Sequence, residues 1–148
     1  MASQKRFPPA ELPLSVEITG HDASIGYTQW VDNLSSSDAH IAEVFRKNGA
    51  IIIAKTNVPQ TMLSFECSNP LFGRTTNPWS INAAHTSGGS SGGEAALLAQ
   101  NGSALGVGSD IGGSLRIPTG YCGIYSLKPG HGRICTEGAK GNLRVNCD

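Results

Sequence analysis

The most informative stretch of the chain spans residues 88–129 and reads GGSSGGEAALLAQNGSALGVGSDIGGSLRIPTGYCGIYSLKP. It contains two glycine-rich loops, 88–93 and 110–118, with Ser90 in the first and Ser114 in the second. Glycine lets a backbone approach a ligand closely and adopt positive φ. Each loop can therefore expose backbone N–H groups, and two such loops on either side of one helix and one strand can converge on a single point.

Hydrophobic patterning around these loops predicts an α/β unit. Good helix formers follow the first loop directly at 94–100, and a buried strand is predicted at 104–108. Upstream, an apolar i, i+3, i+4 face predicts a helix over 37–48, with Ser37 as its N-cap. The isoleucine-rich run 50–54 then predicts a short buried strand.

The rest of the chain gives weaker signals. A short helix is predicted at 58–63, inside a long proline-containing connection, and a strand with a turn at 123–129. Three prolines before residue 15 predict an irregular N-terminal arm. We therefore divide the chain into an arm (1–14), a partial domain (15–141) and a tail that leaves the pattern (142–148).

Composition excludes several classes of protein. The 148 residues hold 11 basic and 11 acidic side chains, so the net charge is zero and no nucleic-acid partner is expected. The longest apolar run, 50–54, is far shorter than the ~20 residues of a membrane span, and no signal peptide is visible. We expect a cytoplasmic protein. Membrane association and oligomeric state stay open.

The cysteines do not predict a metal site. The chain has four of them, with no C-x-x-C pair and no histidine at zinc-finger spacing. We expect reduced thiols, as is usual in the cytosol. The four residues are Cys67, Cys122, Cys135 and Cys147.

Two stretches together carry a resemblance. Residues 88–129 and the upstream run TNVPQTMLSFECSNPLFGRTTNPW, residues 56–79, resemble the amidase-signature family of serine hydrolases. The upstream run is most similar to the branch that includes fatty-acid amide hydrolase and fungal amidases. The resemblance covers roughly 13–141 and implies the N-terminal part of the amidase-signature fold, a mixed β-sheet core flanked by helices. That fold is incomplete here, because members of the family are several times longer.

The resemblance implies roles for named residues. Ser114 matches the nucleophile that forms an acyl-enzyme, and Ser90 matches a bridging serine that relays a proton and follows a cis peptide bond. Met62 matches a position lining the substrate site. The implied substrate is a small linear amide, fatty-acid amides included, and no metal or organic cofactor is needed. The implied oxyanion-hole donors are the backbone N–H groups of Ile111, Gly112, Gly113 and Ser114.

Two charged residues flank the nucleophile loop. Asp110 and Arg116 either pin that loop through hydrogen bonds or an ion pair, or are two solvated charges. We expect the pinning role, because a loop this rich in glycine would otherwise be poorly ordered.

The general base of the implied mechanism is missing. A serine hydroxyl needs a base within hydrogen-bond reach, and in the family a neutral lysine serves in a segment of the form P-[LIV]-S-[LIV]-K-[DE]. Here residues 13–17 read PLSVE, and several residues are absent between Val16 and Thr19. We expect a structural role for Lys55, with rescue of catalysis as the alternative. His85 is expected at a loop surface.

Three hypotheses about function follow. The first is an amidase that cleaves C–N bonds through an acyl-enzyme on Ser114. The second is a catalytically inactive, truncated homologue that acts as a binding or interaction module. The third, phosphate binding at the helix after 88–93, is disfavoured because the order G-x-x-x-x-G-K-[ST] is absent and Glu94 would repel an anion.

Overall fold

The short segment PAELP, residues 9–13, forms the central strand of the main sheet. The computed structural model describes residues 9–141, and in it this central strand has a parallel neighbour on each side. The strands are β1 (Pro9–Pro13), β2 (Ile51–Thr56), β3 (Ser68–Asn69), β4 (Gly73–Arg74) and β5 (Leu105–Gly106). The helices are α1 (His40–Lys47), α2 (Gly92–Ala99) and α3 (Arg116–Cys122), with short 3-10 turns at Thr28–Trp30, Gln60–Met62 and Ile81–Ala83.

Strand β1 corrects the predicted arm. Its side chains Ala10 and Leu12 are fully buried, and it pairs in parallel with both β2 and β5. Its prolines stand at the first and last positions, so the interior of the strand keeps its N–H groups for the ladder. The prediction of an irregular arm over 1–14 is therefore wrong for residues 9–13. Residues 1–8, like the predicted tail 142–148, lie outside the described part of the chain.

The helix and strand that follow differ from the prediction in detail. Helix α1 begins after Ala39, and Ser37 does not cap it. Strand β2 is shifted toward the C-terminus, and it is not buried as predicted: Ile51 is 64% and Ile53 47% exposed. These two side chains project from one face of β2, which the described chain leaves largely uncovered, and β2 is an edge strand of the three-stranded sheet.

The glycine-rich region also contains more helix than the sequence predicts. Helix α2 begins at Gly92, and the predicted strand 104–108 is reduced to β5. Residues 123–129 do not form the predicted strand, and α3 begins inside the predicted loop 110–118. Pro118 disfavours a helix in the sequence, but it stands in the first turn, where no intrahelical N–H is needed. Gly123, with φ of 69°, ends the helix in the left-handed conformation.

The short helix predicted at 58–63 is only a 3-10 turn. Thr61 and Met62 have φ near +60°, which interrupts any regular helix there. The antiparallel pair β3–β4 follows within the same connection.

The core lies on both sides of the sheet. On one side β1 packs against α1, and on the other α2 packs against α3. The first cluster consists of Leu12, Val16, Ile18, Ala39 and Ala42. The second consists of Ala95, Ala99 and Cys122. Within residues 9–141, no helix has the length and apolar character needed to cross a membrane.

The cysteines do not all match the expectation of reduced thiols. Cys67 and Cys122 are free and fully buried, and burial raises the pKa of both thiols. Cys135 is disulfide-bonded, so the expectation is wrong for that residue.

Two carboxyl side chains meet in the interior between β1 and α2. Glu11 is fully buried and Glu94 is 3% exposed. One oxygen of Glu94 accepts the Val107 N–H at 3.2 Å, whereas the other and both oxygens of Glu11 have no hydrogen-bond partner in the described chain. Burial raises the pKa of Glu11 to about 7, and burial and the neighbouring Glu11 raise that of Glu94 well above its usual value. The pair therefore holds a proton at neutral pH.

We expect this pair to make the stability of the fold depend on pH. The folded state binds the Glu11 proton more tightly than the unfolded chain does, so the stabilisation is complete below pH 4.5 and is lost as the pH rises through about 7. In Glu11→Gln the free energy of unfolding should fall less as the pH rises. At pH 8 it should exceed that of wild type by on the order of 3 kcal/mol.

The measurement is urea unfolding from pH 5 to pH 8. Substitution of the exposed Glu137 by Gln is the control and should leave the slope unchanged. Parallel profiles for wild type and Glu11→Gln would contradict the raised pKa of Glu11 as the source of the pH dependence.

Candidate active site

The two glycine-rich loops lie against each other. The N–H of Ser91 donates to the carbonyl oxygen of Ser114 at 3.0 Å, so one backbone hydrogen bond joins the loops at the predicted nucleophile. Ser90 is adjacent in the chain and 2% exposed, and the peptide bond between Gly89 and Ser90 is cis. Ser114 is half-buried. The structure thus brings together the segments that hold both predicted serines.

Glycine is required in the first loop because neighbouring backbone lies very close. A Cβ atom on Gly89 would lie 2.6 Å from the carbonyl oxygen of Ser64, and one on Gly93 would lie 2.4 Å from the nitrogen of Asn57. Such distances leave no room for any side chain. The Gly93 N–H also donates to the Asn57 carbonyl at 3.1 Å, which ties the start of α2 to the end of β2.

Asp110 organises the second loop. Its side chain is fully buried and accepts hydrogen bonds from the N–H groups of Gly113 (2.6 Å), Leu115 (3.2 Å) and Arg116 (3.2 Å). The Arg116 guanidinium adds two more, from Nε at 2.9 Å and Nη2 at 3.0 Å. The Arg116 guanidinium, followed by these N–H groups, holds the pKa of the Asp110 carboxyl well below its usual range. This geometry favours the loop-supporting role over two solvated charges.

The same hydrogen bonds change the expected set of oxyanion donors. The Gly113 N–H is directed at Asp110 and is not free to face a substrate oxygen, so its predicted role as an oxyanion donor does not fit this structure. Ile111 and Gly112 lie on an exposed part of the loop, with Ile111 72% exposed. The remaining candidate donors are therefore the N–H groups of Ile111, Gly112 and Ser114.

Apolar side chains lie exposed close to the first loop. Leu63 is 86% and Phe65 54% exposed, and the backbone of Phe65 lies about 3.1 Å from the position a Gly89 Cβ would take. Met62, the predicted substrate-lining residue, is only half-exposed and packs against the buried cluster of Leu14, Ile25 and Val58. Exposed apolar surface of this kind is a common feature of binding sites.

The structure directs Lys55 away from a catalytic role. Its Nζ donates to the carbonyl oxygen of Val16 at 2.8 Å and to that of Asp22, so it ties the segment after β1 to the end of β2. Burial lowers its pKa to about 8, against the opposing effect of the Asp22 and Glu17 carboxylates. A lowered pKa suits a base, but these contacts are structural.

Other candidate bases are also occupied. Glu17, which follows Val16 where the lysine is expected, forms an ion pair with Lys140 at 2.5 Å. His85 is exposed, and its Nδ1 lies 2.9 Å from the hydroxyl of Ser80.

A large cavity lies beside the site. It has a volume of about 920 Å³ and runs between α2 and the segment 123–137. Asp110 and Ser91 line it, but Ser90 and Ser114 do not. The cavity therefore borders the second loop at Asp110 and is not lined by either predicted serine.

Two residues that make contacts at the site escaped the sequence analysis. Ser91 joins the loops, and Asn57 holds α2 and also donates from Nδ2 to the Thr75 hydroxyl at 3.0 Å. The doubled serine in 88–93 was the available signal for Ser91. For Asn57 the signal was a polar side chain directly after an apolar strand.

Comparisons with known proteins show the family of the chain. The amidase family profile matches residues 14–145. Fatty-acid amide hydrolase 1 of Sus scrofa is 45% identical over 135 residues, which cover 91% of this chain and 23% of that protein. The acetamidase of Aspergillus oryzae is 40% identical over 126 residues, covering 85% and 23% of the two chains.

Solved structures share the fold. A fatty acid amide hydrolase structure has a TM-score of 0.86 and 36% identity, over 90% of this chain and 23% of that one. A crystal structure of an amidase has a TM-score of 0.80 and 32% identity, over 89% of this chain and 30% of that one. The described fold is thus a partial amidase domain, because the chain spans less than a third of the length of these relatives. From its profile match, its relatives and its fold, the chain belongs to the amidase family.

Proposed function

We propose that the chain carries the nucleophile and proton relay of a serine amidase that cleaves linear amides. The Ser114 hydroxyl oxygen attacks the amide carbonyl carbon as its proton passes to the Ser90 oxygen. Ser90 transfers its own proton to the amide nitrogen, the C–N bond breaks and the amine leaves. Water then hydrolyses the acyl ester on Ser114 and restores the hydroxyl. The observation that carries the proposal is the Ser91–Ser114 hydrogen bond at 3.0 Å, which joins the loops of the two serines.

The charge on the attacked oxygen needs hydrogen-bond donors in place beforehand. We assign this role to the N–H groups of Ile111, Gly112 and Ser114, since Asp110 holds the loop in one conformation through its own five hydrogen bonds. One such donor is worth roughly 2.7–4 kcal/mol of transition-state stabilisation. Asp110 and Arg116 act on this loop and not on the substrate.

We further propose an apolar acyl group for the substrate. Leu63 and Phe65 expose apolar surface beside the first loop, which suits an acyl chain. A relative named fatty-acid amide hydrolase supports this choice, and one named acetamidase supports a small acyl group instead. Comparing hydrolysis of a long-chain amide with that of acetamide distinguishes the two.

A non-catalytic role is the second candidate. It is favoured by Glu17, which pairs with Lys140 at the place where the resemblance expects a lysine, and by the structural contacts of Lys55. Restoring a lysine-bearing segment after Val16 separates the candidates. Amide hydrolysis by the repaired chain supports the amidase, and continued inactivity of a folded, repaired chain supports a binding module.

A fluorophosphonate probe tests the nucleophile without requiring turnover. We expect covalent labelling of Ser114, detected by peptide mass spectrometry, and complete loss of labelling in Ser114→Ala. The exposed Ser126 provides a matched control, and Ser126→Ala should be labelled like wild type. Labelling of folded protein at another serine, or none at all, would contradict the proposed nucleophile.

The loop-supporting role of Asp110 gives a separate expectation. Asp110→Asn removes the charge that binds Arg116 and should lower the free energy of unfolding by about 1–3 kcal/mol. The rate of Ser114 labelling should fall about tenfold or more, because the loop loses its fixed geometry. Asp32→Asn, at an exposed position, is the control. Unchanged labelling in Asp110→Asn would show that the ion pair does not shape the site.

A further inference from the structure

Ser91 stands at the N-terminal end of helix α2 but does not cap it. A serine at this position normally accepts a hydrogen bond from an N–H in the first turn of its own helix. Within the described chain, the Ser91 side chain makes no such bond to α2. The residue is 3% exposed, so its hydroxyl is also withheld from bulk water.

The hydroxyl is used instead on the second glycine loop. Ser91 Oγ accepts the N–H of Ser109 at 3.3 Å and lies 3.4 Å from the Ser109 carbonyl oxygen, to which it donates. Its backbone N–H donates to the Ser114 carbonyl at 3.0 Å. One residue thereby holds both ends of the segment 109–114.

The packing around Ser91 supports a specific contact. A Cβ atom on Gly108 would lie 2.7 Å from Ser91 Oγ, so the strand end before the second loop comes within contact distance of this hydroxyl. A Cβ there would also lie 2.7 Å from Leu115 Cδ1, so a larger residue at position 108 would displace the side chain of Ser91 or Leu115. The close approach and the two bonds to Ser109 therefore belong to one junction.

We propose that Ser91 is a positioning residue that sets the distance between the two loops, and through it the approach of Ser90 to Ser114. The hydroxyl holds the start of the second loop, and the N–H holds its end. Ser91 reaches neither the substrate nor a reacting atom. The catalytic part of this inference rests on the proposed amidase function. The junction itself does not.

The first experiment follows the junction directly. Hydrogen exchange of the Ser109 amide should be at least several-fold faster in Ser91→Ala than in wild type, because its acceptor is gone. Ser103→Ala is the matched control. Ser103 is a buried serine whose hydroxyl bonds to the carbonyls of Pro9 (2.9 Å) and Leu105 (3.0 Å), away from both loops. Its loss should leave Ser109 exchange unchanged.

The second experiment separates positioning from general stability. In fluorophosphonate labelling, Ser91→Ala should lower the maximal rate about 10- to 100-fold with little change in the half-saturating probe concentration. Ser91→Thr keeps the hydroxyl and should restore most of the rate. Ser103→Ala should lose stability and keep the wild-type labelling rate.

The outcomes separate the two hypotheses. Unlabelled wild type refutes the proposed function, and Ser109 exchange still decides on the junction. Unchanged exchange and unchanged labelling in folded Ser91→Ala overturn the inference. If Ser91→Ala does not fold, Ser91→Cys fills the same space with a weaker hydrogen-bonding group. Ser91→Cys should then show faster exchange of the Ser109 amide and slower labelling of Ser114. Wild-type values for both would overturn the inference.

Discussion

The hydrogen bond from the Ser91 N–H to the Ser114 carbonyl is the contact on which the organisation of the site depends. It joins two loops that belong to different elements, one leading into α2 and the other into α3. Each loop is separately held: the first by Asn57 and the close approach to Ser64, the second by the buried carboxylate of Asp110. The fold therefore holds the two glycine-rich loops against each other, with Ser90 on one and Ser114 on the other.

Hydrophobic periodicity and helix propensity predicted the elements that depend mainly on neighbouring residues in the sequence. The helix-forming run after the first loop and the isoleucine-rich β2 were found, with shifted ends. Strand β1 was missed because its stability comes from parallel pairing with β2 and β5, which lie far along the chain, while its two prolines suggest a loop. Helix α3 was missed for a related reason, since Pro118 and Gly120 are poor helix formers that this context tolerates.

The contacts at the site also differ in how far the sequence predicts them. Asp110 and Arg116 could be paired from their spacing, because the contact lies within one loop. Two other contacts could not be predicted: the hydrogen bond from the Gly113 N–H to Asp110, and the hydrogen bond from the Ser109 N–H to the Ser91 hydroxyl. The sequence does not say which backbone groups a carboxylate or a hydroxyl will reach. Likewise Glu11 looks like an ordinary charge in the sequence, and only its burial in the folded chain raises its pKa to about 7.

A crystal structure of the chain would decide whether the two loops meet as described. The expected result is a Ser91 N to Ser114 O distance near 3 Å, with the hydroxyl oxygens of Ser90 and Ser114 about 2.6–3.2 Å apart, within reach of one proton. Loops that meet elsewhere, or serine oxygens separated beyond hydrogen-bond reach, would contradict the arrangement and remove the physical basis for the proposed chemistry.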